Sequence, residues 1–184
     1  MALEMPVNHH IGTLIQNLQP EIDTDDEEQE RTTPALSWGW LARRDDTNEQ
    51  WAVYFPNGAA IWVTDEELAD PQQYAIPPNQ SLAFLTPTRP VDDGRLVLAG
   101  ARHGVHFTLA LSLNADSGLI DSQLWVDSDR PSDAHAAQVD PGDARLTSND
   151  DLARAWRFGD LSTRVTEAYA TRAEPQRDTH RERG

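Results

Sequence analysis

The chain contains neither cysteine nor lysine. Without cysteine there is no disulfide, no thiolate nucleophile, no iron–sulfur cluster and no cysteine-containing zinc site. Without lysine there is no P-loop cation, no Schiff-base or pyridoxal amine and no Ser-x-x-Lys hydrolase. Gly-x-Ser-x-Gly, His-Glu-x-x-His and Gly-x-Gly-x-x-Gly are also missing. No run approaches the ~18 apolar residues of a membrane span. Met1 to His10 lacks the basic and apolar regions of a signal peptide. These absences lead to the expectation of a cytoplasmic, non-catalytic protein with no cofactor and no bound metal.

What remains is acid. All 15 basic residues are Arg, set against 31 acids, for a formal charge of -16. That charge opposes direct binding to a phosphate backbone or an anionic membrane face, so the expected partner is a protein. A salt-tolerant or high-GC host would impose the same composition for reasons unrelated to function. The charge is uneven: residues 1–34 hold eight acids and one Arg, whereas residues 148–184 hold seven of each.

A chain of 184 residues with 38% hydrophobic content is long enough for one domain with its own core. Ile11, Leu14, Ile15 and Leu18 recur at i, i+3, i+4 and i+7, which predicts a short amphipathic helix within residues 1–20. At ~12 residues such a helix is marginal alone and must dock. Glu21 to Glu30 repels itself and holds one apolar residue, so residues 21–34 are expected to be a disordered acidic linker. A single α+β domain is expected over 35–173, and a flexible tail over 174–184.

Within that domain the pattern is mostly that of strands. Trp38 and Trp40 alternate with Ser37, Gly39 and Leu41. Trp51 to Phe55 and Ala60 to Val63 flank Pro56-Asn57-Gly58-Ala59, which predicts a hairpin with a type I′ turn. Thr64 followed by Glu67 predicts a capping box and one helical turn. Pro71 to Gln80 is expected to be a loop, Ser81 to Leu85 a strand, Pro87 to Asp93 a loop and Arg95 to Ala99 a strand. Val105, Phe107, Leu109 and Leu111 alternate with His106, Thr108 and Ala110, the pattern of a strand with one dry face. Leu119 to Val126 follows as another strand, residues 127–147 as a loop, and Ser148 as the cap of a C-terminal helix that Gly159 interrupts. About seven strands joined by tight turns predict an antiparallel meander, either a curled sheet or a partly open barrel, with the C-terminal helix packed on it.

Three constellations carry functional readings. Trp38 and Trp40 share a strand face and Trp51 and Trp62 come from the adjacent hairpin, so the indoles are expected close together, either as core filling or as an aromatic patch of the kind enriched at protein interfaces, to which Trp38, Trp40 and Trp62 are assigned. With Ile11, Leu14, Ile15 and Leu18, Trp38, Trp40 and Trp62 form the expected partner-binding set of an accessory module that offers an aromatic and acidic surface to a protein. A second reading is a DNA-mimic inhibitor, whose carboxylates imitate phosphates in the basic groove of a nucleic-acid-binding target. A third is a hydrolase or metal enzyme around His103, His106 and Asp121, although two histidines three apart on a strand face opposite ways. Asp23-x-Asp25-x-Glu27 begins like a calcium loop, but Glu28 stands where Gly is required and Pro34 where Glu is.

Overall fold

The computed structural model describes residues 9, 11–19, 36–91, 94–126 and 135–173. In chain order these form β1 (Leu14–Asn17), β2 (Trp38–Asp45), β3 (Gln50–Tyr54), β4 (Ala60–Thr64), α1 (Asp65–Ala69), β5 (Tyr74–Ala75), β6 (Thr86–Val91), β7 (Arg95–Arg102), β8 (Val105–Leu113), β9 (Ile120–Val126), β10 (His135–Val139), α2 (Asn149–Arg157) and α3 (Asp160–Ala173). The architecture is α+β and antiparallel, as expected. Among the described residues the strands number ten rather than about seven, and they divide into two curled sheets ordered β4-β3-β2-β1-β5 and β10-β9-β8-β7-β6.

Local hydrogen-bond chemistry explains the turns. The side chain of Thr64 accepts from the Glu67 amide at 3.2 Å while Glu67 Oε2 accepts from the Thr64 amide at 2.7 Å, completing the capping box that starts α1. The β3–β4 hairpin forms where expected but not with a type I′ turn, because only Gly58, at φ 85°, takes a positive φ and Asn57 does not. Phe55 accepts from the Gly58 amide at 2.9 Å and donates to Ala59 at 3.0 Å, the pattern of a type I turn closed by a glycine bulge. The type I′ geometry appears instead between β7 and β8. There Arg102 pairs with Val105 across His103 and Gly104, at φ 52° and 78°.

The N-terminal segment overturns the helix expectation. Leu14–Asn17 is a strand inside the first sheet, pairing Leu14 with Trp40 and Ile15 with Gly39 on one side and Asn17 with Tyr74 on the other. Leu14 is 2% exposed and Ile15 0%, on opposite faces. A strand buried on both faces shows no alternation, and a short apolar run of this kind is indistinguishable by periodicity from a helix turn. The side chain of Gln80 acts as a further rung, accepting from the Leu14 amide at 3.2 Å and donating to its carbonyl at 3.3 Å. The expected linker at 21–34 and tail at 174–184 lie outside the described residues.

Two cores result. Ile15, Leu41, Trp51, Val53, Phe55, Val63, Leu68 and Tyr74 bury one face of the first sheet under α1. Leu14, Trp40 and Ala42 on its other face join the second sheet and the C-terminal helices in a larger cluster. In β8, Val105, Phe107, Leu109 and Leu111 are at most 2% exposed, while His106 and Thr108 face solvent. Ser148 caps α2 through the Asp151 amide, and Gly159 at φ 82° separates α2 from α3. Leu152, Trp156, Leu161, Val165 and Tyr169 lay the expected stripe on the second sheet, and Trp156 Nε1 donates to the Leu85 carbonyl at 2.8 Å.

Other assignments are corrected. Ser81 to Leu85 is irregular rather than a strand, and the expected loop from Pro87 contains β6. Proline is accommodated there because β6 is an edge strand, where a missing N–H breaks no inner ladder. The expected loop at 127–147 contains β10, whose Ala-Ala-Gln pattern is weakly apolar yet places Ala137 and Val139 in the core. Tyr74–Ala75 forms a two-residue strand inside the expected loop 71–80.

Candidate interaction surface

The register of the first sheet aligns four of its aromatic residues on one face, while Trp51, Phe55 and Tyr74 belong to the core on the other. Trp62 of β4 is opposite Ala52, Ala60 is opposite Tyr54, and Tyr54 is opposite Trp40. Directly paired residues share a face, so Trp62, Tyr54, Trp40 and Trp38 form one stripe that runs from the β4 edge inward. Its inner end is structural. Trp40 is 3% exposed and meets Tyr54 edge-on at 6.1 Å between ring centroids. Trp38 is half-buried and stacks on His103 at 3.9 Å with an interplanar angle of 12°, which ties β2 to the β7–β8 turn of the other sheet.

The outer end is different. Trp62 is 46% exposed, and the guanidinium of Arg43 lies 5.3 Å from its ring centroid. A bulge in β2 produces this pairing, since the register passes from Leu41 opposite Val53 to Arg43 opposite Ala52. The extra residue moves Arg43 onto the Trp62 face. It moves Arg44 to the opposite face, 5.5 Å from the Trp51 ring, where Arg44 holds Asp65 with two bonds of 2.7 and 2.8 Å. Nothing in the sequence marks Arg43 for this position, because a bulge leaves no signature short of the pairing itself.

Carboxylates lie at the Thr64 end of β4. The β2–β3 turn carries Asp45, Asp46 and Glu49, and α1 begins with Asp65, Glu66 and Glu67. The two groups adjoin, as the Asp65 amide donates to the Glu49 carbonyl at 3.4 Å. Asp45 is held below the usual carboxylate range, first by the Asn48 side chain at 2.8 Å and then by turn amides. Asp46, Glu49 and Glu66 are exposed.

The other predicted site residues fall elsewhere. Leu14 and Ile15 are core residues of β1, Ile11 packs on the first-sheet core, and Leu18 is half-buried with its amide bonded to Gln73. None of the four forms a docking helix. His103 sits in a turn, His106 is exposed near the start of β8, and Asp121 is exposed opposite Ser112. Ser112 is six strand steps from His106, roughly 20 Å at ~3.3 Å per step, so these three side chains do not converge. Among the described residues no three His, Asp or Glu side chains are grouped to hold a metal.

The crevice between the sheets, lined in part by Leu14, Phe84 and Phe107, holds about 10 Å³, room for about one water. The outer face of the second sheet carries a shallow depression of about 450 Å³ among Arg95, Ser112, Asp121, Gln123 and Gln138. No described helix is long and apolar enough to cross a membrane. No protein-family model, curated protein or solved structure matches this chain.

Proposed function

We propose that this protein is a non-catalytic interaction module that binds a protein partner through the Trp62 end of the first sheet. The observation that carries this reading is a tryptophan 46% exposed on an otherwise ordered strand, backed by Arg43 and bordered by carboxylates. Trp and Arg are the side chains most enriched among residues that dominate binding energy. The exposed part of the indole is apolar surface still available to be buried on association. A cytoplasmic setting belongs to this proposal.

Imitation of a nucleic-acid backbone is the weaker reading of the same acids. A mimic needs an array of carboxylates free to meet cations, whereas Asp45 closes its own turn, Asp46 and Asp65 are held by Arg44 and Glu67 closes the capping box, which leaves Glu49 and Glu66 of the six.

Panning a phage-displayed library of peptides and small domains against the full chain tests the proposal. Selected binders are expected to weaken at least tenfold against Trp62→Ala, with the melting temperature of the variant within a few degrees of the parent. Binders indifferent to Trp62, or directed at the outer face of the second sheet, would refute it.

A further inference from the structure

We infer that the partner, on the interaction reading above, supplies an extended basic segment that adds to the free edge of β4 as a sixth strand of the first sheet. The edge is defined by the hairpin. Phe55 and Ala59 form a hydrogen-bonded pair at 3.0 Å, and such pairs alternate along an antiparallel ladder. Val53 with Ile61 and Trp51 with Val63 are therefore the next bonded pairs. Ala60 and Trp62, between them, point their N–H and C=O groups away from β3, and no strand lies on that side among the described residues.

The remaining sheet edges among the described residues are defended. β6 carries Pro87 and Pro90, which have no N–H to offer, β5 is two residues long, and α3 packs on β10. β4 is five residues long and free of Pro, and α1, the helix that contacts it, continues from its own Thr64 end. The β4 sequence Ala-Ile-Trp-Val-Thr is free of Pro and charge and rich in β-branched and aromatic residues, the profile of a strand that accepts a neighbour.

Charge selects the occupant. Exposed Glu49 and Glu66 lie toward the Thr64 end, where Asp46 is already bonded to Arg44 at 3.3 Å, while the Pro56-Asn57-Gly58 turn carries no charge. A second copy would bring another -16 to this edge, and like charges oppose that approach. A segment with Arg or Lys at the Thr64 end and an apolar residue over Trp62 meets complementary groups at both positions. Strand addition of this kind takes its affinity from main-chain bonds and its selectivity from alternate side chains.

The probe is a fluorescein-labelled ten-residue peptide of alternating valine and threonine ending in three arginines, titrated into the full chain by anisotropy. It is expected to bind at least tenfold more tightly than the same peptide ending in three glutamates, and to weaken as salt rises. N-methylation of alternate peptide amides is expected to reduce binding at least tenfold, and so is Ala60→Pro, which removes one outward N–H at a position where proline is tolerated. The N-methylated peptide carries the test if Ala60→Pro does not fold. Equal binding of the basic and acidic peptides, or no binding, would overturn the inference. So would a dimer by sedimentation that Ala60→Pro abolishes, which would put a second copy on the edge. Sensitivity to Trp62→Ala alone would remove strand addition and leave the interaction surface standing, whereas indifference to every change would remove both.

Discussion

Truncating Ile15 tests the placement of β1 inside the sheet. Ile15 is 0% exposed, opposite Gly39, and packs with Leu41, Val53 and Phe55. Cutting such a side chain to Ala removes its transfer energy and leaves a cavity, a loss of about 2–5 kcal/mol, whereas Ile15→Val should lose about 1 kcal/mol. Removing the whole strand in a chain that begins at residue 20 goes further. The two side chains of Leu14 and Ile15 then account for about 4–10 kcal/mol. The main-chain bonds Gly12 to Leu41, Leu41 to Thr13, Asn17 to Ser37 and Leu18 to Gln73 go with them, each worth about 1 kcal/mol net. A native domain holds about 5–15 kcal/mol in all, so the shortened chain should not fold. Urea titration followed by tryptophan fluorescence and far-ultraviolet circular dichroism measures both effects. A shortened chain that keeps its cooperative transition with unchanged midpoint and slope would show that these residues are a detachable element, and the reasoning would fail.

Two further outcomes follow from single positions. Gly39→Ala should destabilise the fold by about 1–3 kcal/mol or more, because the new Cβ would stand 2.6 Å from the Tyr54 carbonyl oxygen and 3.0 Å from the Phe55 ring; an unchanged melting temperature would contradict this packing. Burial, with a smaller contribution from Glu67, pushes the Tyr74 hydroxyl up to about 12. The folded state thus holds that proton more tightly than the unfolded chain, whose tyrosine ionises near 10. The stability this contributes is complete below pH ~10 and is lost as pH rises toward 12, and Tyr74→Phe should flatten that part of the loss in thermal melts at stepped pH.

The features legible in the sequence alone are those whose chemistry closes within a few residues. Thr64 and Glu67 are three apart and satisfy each other, Ser148 reaches the Asp151 amide, and Gly159 marks a break that any helix would need there. Alternation over Val105 to Leu111 is equally plain, because that strand has one wet face. The C-terminal stripe is readable for the same reason.

Pairing decides the rest. Leu14–Asn17 satisfies a helical spacing and a strand equally well, and only partners on both sides, β2 and β5, make it a strand. Pro87 and Pro90 read as loop until an edge position removes the penalty for a missing N–H. Trp38, Trp40, Trp51 and Trp62 look alike in sequence, yet the ladder buries Trp40 and Trp51, half-buries Trp38 against His103 and leaves Trp62 46% exposed. The bulge after Leu41 then places Arg43 beside Trp62. Each of these outcomes depends on contacts between residues distant in the chain, so local composition and periodicity carry the elements of the fold while the register of the sheets selects the surface.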